Sequence, residues 1–223
     1  MRILFRITGV LLIMAAVVLF FWQDIKEYFT DQVNERLIEA YQDGDDHVEI
    51  NRLESFITGI DATGDSDSSS DGNSGGNSAE AAGINIGSDM AGIINIEAAG
   101  ISEPVYYGPV TEEKMRNGVS FVNADDHLNM QNIPIAGHRV EGAGIRFNYL
   151  DRAGVGDIIT IVTREETKEY RITEIFDVSP SEVEVMNQTE GNPQELTLIT
   201  CDDYNPDTLL FEKRMIVKAQ IVE

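Results

Sequence analysis

The single cysteine of this chain, Cys201, stands where nucleophilic chemistry is feasible. It directly follows the apolar run 196–200 and directly precedes a polar turn. A lone cysteine is either a small buried apolar side chain or a reactive thiol. Its place at the end of a strand-like run, beside a polar turn, favours a thiol near solvent. Two carboxylates, Asp202 and Asp203, follow it and disfavour a thiolate, so a nucleophilic role requires cations nearby.

Two side chains could supply a proton shuttle and a positive charge. His138 ends the run 133–138 in the same way that Cys201 ends its own, whereas His127 lies in a polar stretch where a solvated side chain is favoured. Arg214 lies near the start of the last apolar run, where it could face a ligand at the rim of a barrel. The three candidates for chemistry are therefore His138, Cys201 and Arg214.

The elements that must position these residues are short β-strands. Alternating or β-branched runs cover residues 93–96, 105–107, 133–135, 157–163, 169–176, 196–200 and 211–222, and such runs are typical of strands. Helix signals are few: Thr111 begins a short helix that Gly118 can end, and residues 179–182 form a capping-box pattern. Seven or eight strands with one or two short helices predict a mainly β fold, a closed or nearly closed barrel.

An uncharged segment precedes this β-rich region. Residues 7–22, with the apolar residues 3–5, give about the 20 residues that cross a bilayer, so residues 1–23 are expected to form a transmembrane anchor. Arg2 and Arg6 precede the segment and acidic residues follow it, which puts the N-terminus in the cytoplasm and the rest outside. The alternative is a cleaved signal peptide, but the run ends in Phe-Phe-Trp-Gln, without a small-residue cleavage site.

Residues 24–82 are expected to form a stalk between the anchor and a domain at 83–223. Residues 24–42 have apolar side chains near the helical period, which predicts a membrane-proximal helix that acts as a spacer. Residues 61–78 contain only Gly, Ser, Asn, Asp, Ala and Thr, and such a segment predicts a flexible linker. Its aspartates do not make an EF-hand, because the closing glutamate and flanking helices are absent.

Composition excludes several classes of function. With 39 Asp and Glu against 16 Lys and Arg, the net charge is −23, so binding to nucleic acid through phosphate neutralisation is excluded. One cysteine excludes an intramolecular disulfide and any metal site built from several thiolates.

The residues around the three candidates resemble a known family. The matching blocks are Glu103-Pro-Val-Tyr, Asn117-Gly-Val-Ser-Phe, Ile135-Ala-Gly-His138, Leu196-Thr-Leu-Ile-Thr-Cys201-Asp-Asp-Tyr-Asn and Glu212-Lys-Arg214. In this order they resemble the class A sortases, which are membrane-anchored cysteine transpeptidases of Gram-positive bacteria. The resemblance covers nearly all of residues 83–223 and implies a sortase-type β-barrel.

The resemblance also implies a mechanism. Cys201 would attack the Thr–Gly bond of a Leu-Pro-x-Thr-Gly sorting signal on a secreted protein, and an amine of a lipid-linked peptidoglycan precursor would resolve the thioester. His138 would act as acid and then as base, and Arg214 would stabilise the oxyanion or hold the substrate backbone. No Asn or Asp that orients the imidazole of His138 is identifiable from the sequence. Substrate-binding positions carry over to Ala136, Val183, Met186, Thr197 and Ile199, each equally credible as plain core.

Some relatives in this family hold a calcium ion, and the resemblance allows the same test here. The matching positions are Asn123, Asp126, Met130, Asn132 and Gln188. Only Asp126 and Asn132 keep plausible oxygen ligands of the family's type, so we expect no cofactor and no strong activation by calcium.

Other functions fit these residues less well than the sortase reaction does. A non-catalytic cell-surface β-barrel that binds a partner would not need Cys201, His138 and Arg214 to converge. The transpeptidases that act on L,D-crosslinks are expected to show Ser-His-Gly-Cys, where this chain has Thr-Cys-Asp-Asp. Pilus-polymerising sortases would add a C-terminal transmembrane segment and a lid motif, so we expect housekeeping anchoring of surface proteins.

Overall fold

β-Strands form most of the domain in the computed structural model, which describes residues 2–60, 82–86, 89–139, 145–189, 191–208 and 210–222. β1 (His47–Ile50) and β2 (Ala82–Asn85) pair with each other in a small antiparallel sheet. The other strands are β3 (Met90–Ile96), β4 (Ile101–Tyr106), β5 (Val119–Phe121), β6 (Asn132–Ala136), β7 (Ile158–Val162), β8 (Thr167–Val178), β9 (Glu195–Asn205) and β10 (Leu210–Ile221).

Strands β3 to β10 close into a barrel within the described residues. Their order is β10-β8-β7-β3-β4-β5-β6-β9, and β9 closes the ring by pairing with β10. The pairs β4–β5 and β6–β9 are parallel, and the remaining neighbours are antiparallel. The prediction of a mainly β, closed barrel is confirmed. Each predicted run overlaps a barrel strand. The sequence patterns missed β1 and β2 outside the barrel and β5 within it, and the three residues of β5 are too few to show a period.

Two apolar clusters stabilise the chain. The first fills the barrel with inward-facing side chains such as Phe121, Leu198 and Val217, all fully buried. The second lies outside the barrel wall, between the N-terminal segment and strands β3 and β4. Its buried members are Val33, Leu37, Tyr41, Val48, Ile50, Ile60, Ile86, Met90, Ile93 and Tyr106.

The short helices of the domain follow their capping signals to different degrees. α4 (Glu112–Asn117) begins where the sequence predicted, with the Thr111 hydroxyl accepting the Lys114 amide at 3.2 Å. The capping-box pattern at 179–182 does place the Glu182 carboxylate on the Ser179 amide, at 2.7 Å. However, the helical turn there is a 3₁₀ turn at Val183–Met186, called the groove turn below.

The N-terminal region consists of two helices joined by a bend. α1 (Arg2–Phe20) exposes its apolar side chains from Ile7 onward, and α2 (Trp22–Asp43) follows after one residue. Among the described residues, no helix taken alone has the length and apolarity to cross a membrane. By those two criteria the pair Arg6–Phe20 and Trp22–Asp43 could do so, with a bend of 58° between them.

α2 lies against the barrel, whereas the sequence suggested a spacer. Val33, Leu37 and Tyr41 bury one face of the helix in the second cluster, and the Tyr41 hydroxyl donates to the carbonyl of Ala91 on β3 at 3.2 Å. α3 (Arg52–Thr58) follows β1, and Ile60 beyond it is buried in the same cluster as Ile86, which follows β2. Both sides of the predicted linker thus belong to one packed unit, and the linker itself, 61–78, lies outside the described residues.

Candidate active site

Strand pairing brings the three candidates for chemistry together where β6 ends and β9 and β10 continue as a paired hairpin. In the parallel pair β6–β9, Ala136 lies opposite Ile199, and the pairing extends as the Gly137 amide donates to the Ile199 carbonyl at 3.1 Å. One further step along both chains leads to His138 and Cys201. In the antiparallel pair β9–β10, Cys201 lies directly opposite Arg214. Because neighbouring strands are about 4.8 Å apart, the three residues form a short row across the sheet.

The row lies on the outer face of the barrel. Leu196, Leu198 and Thr200 of β9 point into the barrel and are buried. Since side chains alternate along a strand, Ile199 and Cys201 point outward, and both are half-buried. Directly opposed residues of paired strands share a face, so Arg214 extends on the same side as Cys201. The thiol is therefore near solvent, as predicted. The predicted strand end at Cys201 is wrong, however, because β9 continues to Asn205 by pairing with β10, and the polar residues after Cys201 belong to that pairing.

His138 is held by its backbone and approached by a carboxylate. Its carbonyl accepts the amide of Phe147 at 3.1 Å. The preceding residue must be glycine, because a Cβ on Gly137 would lie 2.5 Å from the Phe147 ring. The Nε2 atom of His138 lies 3.5 Å from Oε2 of Glu112, at the start of α4. Glu112 is the orienting side chain that could not be identified from sequence, and its exposure weakens the pair.

Two arginines border the cysteine strand. Nη1 of Arg214 donates to the carbonyls of Phe211 and Lys213, at 3.4 and 3.0 Å, which holds this side chain along its own strand. Arg139, which sequence reasoning did not single out, bridges Asp202 and Asp151, each at 3.2 Å. Its position directly after His138 was the available signal. Arg139 therefore links the segment after His138 to the segment after Cys201.

An apolar groove of about 160 Å³ adjoins Arg214 on the outer face of β6, β9 and β10. The groove turn covers one side of it. Four of the five predicted substrate-binding residues line it, and so does Arg214. The lining residues are Val122, Ala136, Val178, Ser179, Pro180, Glu182, Val183, Val185, Met186, Ile199, Arg214 and Ile216.

Thr197, the fifth predicted substrate-binding residue, lies outside this lining. It is fully buried, and its hydroxyl pairs with Oδ1 of Asn132 at 2.5 Å and with Nζ of Lys218 at 2.8 Å. Lys218 and Asn132 also donate to the Val185 carbonyl, at 2.7 and 3.0 Å. Thr197 thus belongs to a polar cluster that fastens the groove turn to the barrel.

The candidate calcium ligands already have partners within the protein. The Asp126 carboxylate accepts the backbone amide of Asn123 at 2.7 Å and its side-chain amide at 3.0 Å. The Asn132 side chain is used in the polar cluster, and Gln188 bonds the Asn132 backbone on both sides, N–H and C=O, at 2.9 and 2.7 Å. No group of three His, Cys, Asp or Glu suited to a metal occurs in the described parts of the chain. These residues do not fit a cation that needs 6–8 oxygen ligands.

Comparisons with known proteins agree with this geometry. Residues 94–222, more than half of the chain, match the family model described as the Sortase domain. Sortase A of Staphylococcus aureus is 43% identical over 137 residues, which cover 61% of this chain and 66% of that protein. Sortase A of Bacillus anthracis is 28% identical over 131 residues, 59% of each chain. The chain thus spans less than two thirds of the length of these curated relatives.

Solved structures share the barrel. A Sortase D5 transpeptidase of Clostridium perfringens is 30% identical, with a TM-score of 0.52, and the match covers 60% of this chain and 80% of that one. Sortase A of Listeria monocytogenes gives a TM-score of 0.54 at 24% identity, over 60% of this chain and 88% of that one. The second likeness bears on the fold alone.

Proposed function

The chain belongs to the sortase family, as its class A motifs indicated, and from that membership we propose that it is a cysteine transpeptidase acting on Leu-Pro-x-Thr-Gly sorting signals. The observation that carries the proposal is the row of His138, Cys201 and Arg214 across three adjacent strands, next to an apolar groove. A surface-binding module would not need these three side chains on one face.

The first half-reaction forms a thioester. The Cys201 thiolate attacks the carbonyl carbon of the signal's threonine, and the oxyanion that develops needs hydrogen-bond donors at once. A guanidinium carries five N–H donors, and Arg214, directly opposite Cys201, supplies them there or to the substrate backbone. As the C–N bond to glycine breaks, His138 donates a proton to the leaving amine.

The second half-reaction transfers the acyl group to an acceptor. An amine of the lipid-linked peptidoglycan precursor attacks the thioester carbonyl and gives its proton to His138, which now acts as base. The C–S bond breaks and the thiolate is restored. Glu112, 3.5 Å from Nε2 of His138, stabilises the imidazolium that is present before the first step and restored by the second.

The groove supplies affinity for the sorting signal. Ala136, Ile199, Val183 and Met186 present apolar surface suited to the leucine and proline side chains of the signal, and this surface leads to Arg214. Burial of apolar side chains contributes about 25 cal/mol per Å². A pocket for two apolar residues therefore gives useful affinity without any charged contact, which suits an acidic protein.

The apolar segment 1–23, which includes α1 and the first residues of α2, provides the membrane anchor. The exposed apolar side chains of α1 need an apolar environment, and a bilayer supplies one. With Arg2 and Arg6 on the cytoplasmic side, the barrel lies outside the cell, where secreted clients and the lipid-linked acceptor meet.

The proposal is tested with the full chain in lipid nanodiscs, a Leu-Pro-x-Thr-Gly peptide and an amine acceptor, with products identified by mass spectrometry. Cys201→Ala is expected to abolish both cleavage and transfer without unfolding the chain. His138→Ala is expected to lower the rate by about 10²–10⁴-fold, the usual contribution of a positioned acid–base group. Turnover by Cys201→Ala, or no transfer product from the unaltered chain, contradicts the proposal.

A further inference from the structure

A buried polar network joins α2 to the barrel. The Glu103 carboxylate of β4 is almost fully buried and accepts hydrogen bonds from both sides of the interface. Nδ2 of Asn34 on α2 donates to it at 3.0 Å, and the backbone amide of Arg146 donates at 2.6 Å. Nη1 of Arg146 completes the set as an ion pair. Asn34 of α2 thus donates a hydrogen bond to the buried carboxylate of Glu103 in the barrel.

Arg146 carries this network to the catalytic histidine. It is 3% exposed and has a φ of +58°, a backbone conformation that non-glycine residues seldom adopt without support. The next residue, Phe147, donates its amide to the His138 carbonyl at 3.1 Å. Nη2 of Arg146 donates to the Arg116 carbonyl of α4, the helix that brings Glu112 to the imidazole. Both elements that border His138 are therefore fixed by one guanidinium.

The N-terminal unit also approaches His138 directly. Lys26 of α2, with Thr58 and Gly59 at the end of α3, lines a cavity of about 150 Å³ that His138, Arg116 and Arg146 line from the barrel side. A buried ion pair that loses one hydrogen-bond partner becomes markedly less favourable, because charge is left undersatisfied in a region without water. Removing Asn34 therefore acts on the Glu103–Arg146 pair, and through Arg146 on the segments that hold His138.

We propose that α2 is a positioning element of the active site and that Asn34, Glu103 and Arg146 are its positioning residues. This rests on the proposed transpeptidase function. α2 then does more than connect the anchor to the barrel: its docking fixes the imidazole relative to Cys201. The groove for the sorting signal shares no lining residue with the cavity at His138, so the effect falls on turnover and not on peptide binding.

The test uses the full chain in lipid nanodiscs with the variant Asn34→Leu, which removes the donor and keeps the same branching and number of side-chain heavy atoms. We expect kcat to fall about tenfold, within the up to about 10²-fold loss that follows small misplacements of catalytic groups. KM for the sorting peptide should stay within twofold. Histidine labelled with ¹³C at Cε1 gives signals for the three histidines, and the His138 signal should shift or broaden while that of His127 stays unchanged.

Tyr41→Phe is the matched control, because it also removes one side-chain hydrogen bond between α2 and the barrel, but to Ala91 on β3. It should leave kcat and the His138 signal near those of the unaltered chain. If Asn34→Leu leaves kcat and the His138 signal unchanged, or if Tyr41→Phe changes both equally, the proposal is wrong and the network serves stability alone.

An unfolded variant and an inactive chain can both be distinguished from failure of this proposal. Thermal unfolding establishes that each variant is folded, and Asn34→Ala replaces Asn34→Leu if the latter is not; the same loss of kcat and the same His138 shift are expected. If the unaltered chain transfers no acyl group, the proposed function fails, whereas the ¹³C signals still decide whether Asn34 is coupled to His138.

Discussion

The hydrogen bonds of Gln188 predict that the groove turn is ordered without calcium. The Gln188 amide accepts from the Asn132 N–H and donates to the Asn132 carbonyl, at 2.9 and 2.7 Å. It thereby ties the segment after the groove turn to the start of β6. The sequence leads us to expect no strong activation by calcium, and these hydrogen bonds supply the physical reason. Gln188→Ala removes both bonds in one step.

The size of the effect follows from the bonds that are lost and those that remain. A net hydrogen bond contributes about 0.5–1.5 kcal/mol, so two contribute about 1–3 kcal/mol, and the exposure of Gln188 favours the lower half of that range. About 1–2 kcal/mol shifts the ratio of docked to undocked turn by about 5–30-fold. Lys218 and Asn132 still hold the Val185 carbonyl, so the turn stays docked in a fraction of about 0.1–0.3 of the molecules. We therefore expect KM for the sorting peptide to rise about 3–10-fold, with kcat nearly unchanged.

Steady-state transpeptidation of a sorting-signal peptide measures this, first in chelator and then with calcium raised to millimolar. Neither the unaltered chain nor Gln188→Ala should be activated severalfold by calcium. Glu184→Gln is the control, since Glu184 is an exposed carboxylate of the same turn and should leave KM and the response to calcium unaltered. Unchanged KM in Gln188→Ala refutes the argument from hydrogen bonds. A saturable calcium activation of the unaltered chain refutes the expectation of calcium independence.

Three further predictions concern charged residues. Arg214→Lys keeps the charge but not the planar set of donors, so kcat/KM should fall about 10²–10³-fold, as for loss of an oxyanion donor. A drop of less than about fivefold in steady-state assays would indicate that Arg214 only balances the charges of Asp202 and Asp203. Arg139→Gln breaks the ion pairs to Asp202 and Asp151 and should lower kcat about 3–10-fold. The unfolding temperature should change little, because partly exposed ion pairs contribute at most about 1 kcal/mol. Normal turnover would show that activity does not depend on the ion pair between Arg139 and Asp202. Partial burial, as the main cause, and nearby carboxylates, as the second, raise the pKa of Asp31 from 3.8 to about 6. The neutral form of Asp31 therefore gives its full contribution to stability below about pH 4, and this contribution is lost as the pH rises through about 6. Asp31→Asn should therefore raise the free energy of unfolding by about 1 kcal/mol at pH 7.5, after the pKa shift is discounted for solvent exposure. At pH 4 the substitution should give no gain. Equal gains in denaturant unfolding at the two pH values would contradict this.

Local pattern determined most of the strands of the barrel and the apolar runs that lead to its site residues. β-Branched alternation marked seven of the barrel strands, and the Thr111 cap fixed the start of α4. The apolar runs that lead to Cys201 and to His138 were visible from their alternation. The end of the cysteine strand was not, because β9 continues through polar residues to Asn205 by pairing with β10. The order of motifs in the chain then gave the family and with it the barrel.

Only the tertiary structure decided what each of these residues touches. Asn34 meets Glu103 across 69 residues of chain, and Thr197 meets Asn132 across 65. The sequence left Thr197 equally credible as groove lining and as core, and predicted α2 as a spacer, since nothing in a helical period tells which surface its apolar face will cover. Hydrogen bonds between distant segments depend on the register in which the barrel closes and on the docking of α2. Those are set by packing of the whole chain, and so the partners of Arg139, Arg146 and Gln188 could not be read from their own neighbourhoods.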